Sequence, residues 1–418
     1  MNPELKSDQS EVGTKYRWGV LIGAFSSYLY DSYDLIILAI AMPILIKTLN
    51  ISLPEGGLLA SSTMAGAALG SILFGVIAEN YGRRRAIIIA LVWFGIGTGV
   101  IVFVNSWATW MVLRLLTGIA IGGVWGPCAA LIALHWSAKY RGRAACFVFS
   151  SFAAGAIAAS LVGRLVLAVD WRYLFLTGST SILLAILMYF LIPADQPRLP
   201  ATGSQVAEKI GVGAIFEKGY AKTTFLAFLV SFFNMAGFWG VSYWVPTFLT
   251  KERGLSLTTM ANFSLVMWVG MFIGYQCFGF ISDRIGRRTA MIFAFLLMAF
   301  AVGVYLVVPN PMFLFWWGMV VGFGLSGVLG VVGAYYSELF PDRIRAYAGG
   351  FCFNVGRIGA IIAPFTVGAI GRAYGLQIGL ATNCVIFLLG ALTLLFLPET
   401  LQKKAPIEGM AAVGTAKA

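Results

Sequence analysis

Two carboxylates three residues apart, Asp31 and Asp34, stand inside the apolar stretch "SYLYDSYDLIIL" at residues 27–38. Two further charged residues, Arg114 and Arg357, lie as deep in comparable stretches. A charged side chain at the centre of a lipid-buried helix costs roughly 2.5–3.5 kcal/mol, so such residues mark function unless they neutralise one another. On a helix, positions i and i+3 share a face, which groups Asp31 and Asp34 with Ser27 one turn back and sets Tyr28 and Tyr30 at their flanks. Two ionised carboxylates at this spacing repel and burial disfavours charge, so the pair is expected to carry a proton that it takes up and releases near neutral pH. The pair titrates jointly, and the sequence leaves open which acid holds that proton. The alternative is a structural pair neutralised by Arg114 or Arg357. Arg357 offers a second chemistry, because a planar guanidinium grips a carboxylate through two parallel hydrogen bonds where lysine would act as a point charge. Asn354, three residues earlier, shares its face. The run "NMAGFWGVSYWVP" (Asn234–Pro246) adds Asn234, Trp239 and Tyr243, aromatic and polar groups beside a glycine and a proline that let a helix bend. These suit a planar organic acid, while Trp244 in the same run reads as an interfacial anchor.

Such residues need elements that hold them in lipid. Of the 418 residues, 59% are hydrophobic and 11% charged, against about a quarter charged in soluble domains. Apolar runs of about 20 residues recur along the chain, each long enough to cross a ~30 Å hydrocarbon layer as a helix. The fold class is therefore an all-α membrane protein of twelve transmembrane helices, from 18–46 to 375–397, because bare loops and open sheets cannot satisfy their backbone groups in lipid. The first run is too long for a signal-peptide core. Residues 193–221 form the one long polar stretch and read as a linker between six-helix halves at 18–192 and 222–397, with tails at 1–17 and 398–418. Lys and Arg number 21 in one set of alternate loops and tails and six on the other side (Lys47, Arg164, Arg172, Lys251, Arg253, Arg372), which puts both termini in the cytoplasm. That alternation also explains the net charge of +12 without a nucleic-acid surface.

The halves repeat. "GVIAENYGRRR" (Gly75–Arg85) and "GFISDRIGRRT" (Gly279–Thr289) share G-x-x-x-acid-x-x-G-R-R at an offset of 204, and "YRGRAA" (Tyr140–Ala145) loosely matches "DRIRAY" (Asp342–Tyr347). In each copy an acid, Glu79 or Asp283, closes a helix, and a glycine, Gly82 or Gly286, makes a sharp turn. Arginines then follow that can pair with the acid. Gly118, Gly122 and Gly126 stand four apart after Arg114 and allow a neighbouring helix close approach. The five cysteines have no metal or disulfide spacing and read as small core residues. His135, the sole histidine, closes the fourth predicted helix as a solvated imidazole or, less simply, a pH-sensitive gate.

These features resemble a major facilitator superfamily transporter from Arg17 to about Thr400. The family's signature loop resembles Gly75, Glu79, Gly82, Arg83 and Arg84, with Gly279, Asp283, Arg284, Gly286 and Arg287 as a second copy. The resemblance implies that these residues latch the cytoplasmic side; Glu79-Asn80 departs from the usual Asp-Arg and implies a weaker first latch. It also implies that the first, fourth, seventh and tenth helices line a central cavity. "DSYD" (Asp31–Asp34) is similar to the Asp-Gly-x-Asp motif of the aromatic acid:proton symporter branch, with Ser32 in the glycine position, and "GRIGAIIAP" (Gly356–Pro364) resembles that branch's eleventh helix. "FLIPADQP" and "LPET" (Leu397–Thr400) resemble family boundary signatures and receive no transport chemistry.

The expectation is a proton-coupled symporter, acting as a monomer in the plasma membrane, a bacterial inner membrane by the resemblance. It would import an organic carboxylate such as benzoate, hydroxybenzoate or muconate. Asp31 and Asp34 would be its proton site, and Arg357, Asn354, Arg114, Asn234, Trp239 and Tyr243 its substrate ligands. No cofactor beyond the coupling proton and no metal is expected. Import of a neutral sugar or polyol is the alternative; a drug exporter is disfavoured because Phe147–Ala159 lacks a GPxxG-type signature. A receptor or scaffold would need neither the loop motifs nor the buried acids, and no nucleophile-base set, phosphate loop or metal cluster suggests an enzyme.

Overall fold

The computed structural model describes residues 3–136, 138–193, 212–217, 219–341 and 343–401. The central part of the linker at 193–221, most of the tail at 398–418 and part of the Tyr140–Ala145 and Asp342–Tyr347 repeat lie outside them. All regular structure among the described residues is helical, and twelve helices are long and apolar enough to cross a membrane. They are α1 Tyr16–Thr48, α2 Leu53–Tyr81, α3 Arg83–Phe103, α4 Trp107–His135, α5 Phe147–Val166 and α6 Arg172–Leu191. After the linker come α7 Ala221–Lys251, α8 Leu257–Ile285, α9 Arg287–Val307, α10 Pro311–Leu339, α11 Tyr347–Tyr374 and α12 Leu376–Leu395. The ends are set by local chemistry: Ser52 and Glu55 form a capping box on α2, and Asn310 accepts from the Met312 and Phe313 N–H groups ahead of α10, with Pro311 in the first turn. Large apolar side chains such as Ile72, Leu165, Phe190 and Phe280 are exposed, as they must be on a surface solvated by lipid.

Lipid supplies no hydrophobic drive between helices, so close packing holds them, and small residues make it possible. A Cβ added at Gly118 would come within 2.2 Å of the Thr63 carbonyl oxygen and one at Gly122 within 2.1 Å of that of Ala67, so these two glycines dock α4 onto α2. Gly126 meets nothing and instead lines a cleft, which corrects its assignment to the packing stripe. Gly270 and Gly322 do for α8 and α10 what Gly118 and Gly122 do for α2 and α4. Gly155 of α5 receives Ser32 of α1, whose hydroxyl donates to the Leu29 carbonyl at 2.9 Å; the larger residue at this motif position is accommodated by its neighbour. Gly356 and Gly359 of α11 press onto Ser231 and Phe232 of α7. The first six and last six helices meet through α2 on α11, α5 on α8 and α1 on α7.

Three helices are interrupted: α4 at 123–124, α6 at 179–180 and α11 at Arg357. Continuous apolar runs predict unbroken helices here. Two of the three breaks fall on the central cavity, where irregular backbone has polar company.

Candidate transport site

A cavity of about 90 Å³ lies where the two sets of six helices meet. Asp31 and Tyr28 face it from α1, Trp239 and Phe238 from α7, and Tyr275 from α8, and Arg357 enters at the break in α11. Rings from both sides wrap it: Tyr28 lies 4.9 Å from Trp125 and 5.7 Å from Phe149, and Phe149 lies 6.0 Å from Tyr275 across the boundary. Phe152 reaches Trp239, again across the boundary, at 6.2 Å. Among the described residues, Asp31 and Arg357 are the only charged side chains on the wall. They are close enough to interact electrostatically, and Asp31 Oδ1 makes no hydrogen bond with the protein. Arg357 Nη1 donates to the Ala67 carbonyl at 3.4 Å, which leaves most of its donors for other partners.

Asp34 does not share this wall. It is fully buried, accepts from Arg114 Nη1 at 3.1 Å and takes a short hydrogen bond from the Thr98 hydroxyl. Arg114 is equally buried and lies over the Phe175 ring at 5.3 Å. Three residues advance a helix by about 300°, so i and i+3 still differ by about 60°, enough to turn one acid to the cavity and the other into the first six helices. The expectation that Asp31 and Asp34 act on one face, and that Arg114 reaches substrate, is corrected accordingly.

The remaining expected ligands divide. Trp239 lines the cavity. Asn354 is exposed and lines the larger cleft outside it, with Nδ2 donating to the Gly350 carbonyl at 2.9 Å. Asn234 is buried on α7 away from the wall. Tyr243 and Trp244 belong to a closure instead: Tyr243 donates to the Gly56 carbonyl at 2.9 Å and Trp244 Nε1 to the Pro364 carbonyl at 2.7 Å. Trp244 is fully buried there, not at a lipid interface. Gly57 and Gly368 complete this seal, where an added Cβ would fall 2.4 Å from the Pro364 oxygen and 2.7 Å from the Leu53 oxygen respectively. The opposite end is open. A cleft of about 1020 Å³ runs between α2, α4 and α11 to the turn that carries Gly75, Glu79, Gly82, Arg83 and Arg84, and it shares Gly122, Trp125 and Arg357 with the central cavity.

The two loop motifs adopt one backbone form, with φ 97° and ψ 154° at Gly82 and φ 104° and ψ 151° at Gly286. Their ion pairs differ. Arg287 pairs with Asp283 and, at 3.3 Å, with Glu338 of α10, and donates to the Ser282 hydroxyl at 2.7 Å. Arg284 is exposed, and Gly279 has open space around it. In the first copy Glu79 pairs with no cation among the described residues, and Arg84 stacks on Tyr189 at 4.7 Å. Glu399, in the boundary signature that received no role, accepts from the Arg288 and Thr289 N–H groups at the start of α9. Partial burial works against its charge, yet four backbone N–H donors together hold its carboxyl below the usual carboxylate range. His135 Nδ1 lies 3.0 Å from the Leu131 carbonyl oxygen and away from both cavities.

Sequence reasoning missed Trp125, Phe149, Phe152 and Tyr275 as wall residues. Trp125 stands on the fourth helix, which was expected to line the cavity; for Phe149, Phe152 and Tyr275 the one available signal was aromatic density on the fifth and eighth helices, which were not.

Comparison with known proteins agrees with this architecture. The family model for the Major Facilitator Superfamily matches residues 20–276 and 227–416. A putative metabolite transport protein of Haemophilus influenzae is 30% identical over 401 residues, covering 93% of this chain and 98% of that one. The cis,cis-muconate transport protein of Acinetobacter baylyi is 29% identical over 402 residues, covering 94% of this chain and 97% of that one. The crystal structure of a D-xylose-proton symporter superposes with a TM-score of 0.75 at 19% identity, covering 92% of this chain and 99% of the other. The chain belongs to the major facilitator superfamily and is a multi-pass membrane transport protein, not an enzyme.

Proposed function

We propose that the protein is a proton-coupled symporter that imports an organic carboxylate, an aromatic acid or a product of aromatic breakdown, across the plasma membrane. One observation carries the reading: among the described residues, Asp31 and Arg357 are the only charged side chains on the wall of a ring-lined cavity between the two sets of helices, and they are close enough to interact electrostatically. The muconate relative supports the substrate class. With Asp31 ionised, the acid and the guanidinium neutralise each other. A proton on Asp31 removes the countercharge of Arg357, whose free donors then bind the substrate carboxylate. Both the empty and the loaded cavity are then neutral, whereas substrate without proton leaves one negative charge in a low-dielectric site, and that difference couples the two fluxes. The count of basic residues supports a cytoplasmic position for the chain ends, and with them the open cleft, and in that orientation the conformation is the one that releases cargo inward. Asp34 and Arg114 form a permanent pair outside the cycle, and the motif around Arg287 latches the cytoplasmic ends of α8, α9 and α10.

Uptake into proteoliposomes under an imposed pH gradient tests this, with labelled benzoate, 4-hydroxybenzoate, cis,cis-muconate and a hexose side by side. Carboxylate accumulation that collapses with the gradient is expected. Asp31→Asn should abolish accumulation while retaining exchange of substrate across the membrane. Hexose uptake alone, or full accumulation by Asp31→Asn, would sink the proposal.

A further inference from the structure

The hydroxyls of Tyr28 and Tyr275 both line the cavity, and neither donates to any described residue. Neither hydroxyl is sealed from water, so an occupant that displaces water from the cavity must itself offer each an acceptor or forfeit that hydrogen bond. The two tyrosines come from opposite sides of the boundary, Tyr28 from α1 and Tyr275 from α8, and the Phe149 ring stands between them with centroids 5.7 and 6.0 Å from theirs. Their surroundings differ. Tyr28 stands one turn before Asp31 and is close enough to Arg357 to interact with it electrostatically. Tyr275, on the other side of the boundary, interacts electrostatically with Tyr28.

The geometry points to a division of labour that rests on the carboxylate reading above: Arg357 and Tyr28 together hold the carboxylate, and Tyr275 reads a second, uncharged acceptor across the ring. The substrate is then a small planar monocarboxylate bearing a hydroxyl, ring nitrogen or carbonyl. A second carboxylate finds no cation on the wall, since Arg357 is the only one among the described residues, and it would add an unbalanced charge to a site otherwise neutral. A cavity of about 90 Å³ further restricts the occupant to a small solute.

Transport kinetics in proteoliposomes separate these roles. The wild type is expected to prefer 4-hydroxybenzoate or nicotinate over benzoate by about tenfold in KM, the size of one hydrogen bond to a donor otherwise left unpaired. Terephthalate, with a second carboxylate on the same ring, and cis,cis-muconate, also a dicarboxylate, should be poor substrates, which narrows the carboxylate class proposed above to monocarboxylates. Tyr275→Phe should bring the benzoate and 4-hydroxybenzoate values together. Tyr28→Phe should raise KM for every carboxylate by a similar factor, because it touches the group they share. Tyr30→Phe, whose hydroxyl bonds Thr180 at 2.8 Å away from the cavity, should leave the ratio unchanged. An unaltered ratio in Tyr275→Phe, or terephthalate carried as well as 4-hydroxybenzoate, overturns the inference while leaving carboxylate import standing. Uptake of no carboxylate at all overturns both.

Discussion

The two aspartates divide two tasks that the sequence assigned jointly. Asp34 is held by Arg114 and Thr98 with no exposure, so removing its charge strands a buried guanidinium whose Nε and Nη2 already lack partners. Breaking a buried pair from one side typically costs about 3–5 kcal/mol. Asp34→Asn is therefore expected to lower the melting temperature of the detergent-solubilised protein, whereas Asp31→Asn, which relieves an acid lacking a hydrogen bond, should leave it unchanged or raise it. Equal melting shifts in the two variants would contradict the separation. That Asp31 and Asp34 bear charge in lipid was legible from residue type alone. Which way each turned was not, because about 60° on one helix is decided by neighbours distant in sequence, such as Thr98 and Arg114. Trp244 is the same lesson: a tryptophan near a helix end fits an interface equally well by sequence, and its indole N–H found a backbone oxygen of Pro364 instead.

At the scale of elements, the helices were legible because the apolar period of a span is long and lipid permits no other regular choice. The first predicted helix, 18–46, is found at Tyr16–Thr48 and the last, 375–397, at Leu376–Leu395. The breaks at 123–124 and Arg357 were not, since they arise where the helix meets a cavity rather than from a proline. The turn after α8 illustrates how an end is secured. Gly286 takes a φ of 104° that L side chains rarely adopt, and Glu399 fills the space beside it while capping α9. Gly286→Ala should thus strain the backbone and push against Glu399, losing about 1–2 kcal/mol. Glu399→Gln should lose about 0.5–1 kcal/mol, reduced from a full cap because the carboxylate is partly exposed. The folded-state shift of Glu399 is downward, so its contribution is complete above the ordinary carboxylate range and disappears as pH falls through the lowered value. Melting curves recorded between pH 7 and pH 3 should show a smaller acid-dependent loss in Glu399→Gln than in the wild type; parallel curves would refute the role.

For the whole molecule, the structure is sealed at one end and open at the other, and the seal is small. It rests on Tyr243 to Gly56 and Trp244 to Pro364, with α2 packed on α11 around them. Each hydrogen bond contributes roughly 0.5–1.5 kcal/mol, so deleting one shifts a two-state population by up to about tenfold. Tyr243→Phe is expected to favour the conformation opened at the far end, read as faster modification of a cysteine placed at Gly56 and as a lower KM for external substrate. Unchanged modification would show that the tyrosine is not a determinant of closure.

Both acceptors in that seal are main-chain oxygens, and this has a genetic consequence. No substitution in α2 or α11 deletes them, so a bond is lost either by removing its α7 donor or by prying the helices apart. A selection for variants that relieve a transporter jammed shut at this end should return Tyr243 and Trp244 themselves, together with bulkier residues at Gly57 and Gly368 that pry the helices apart.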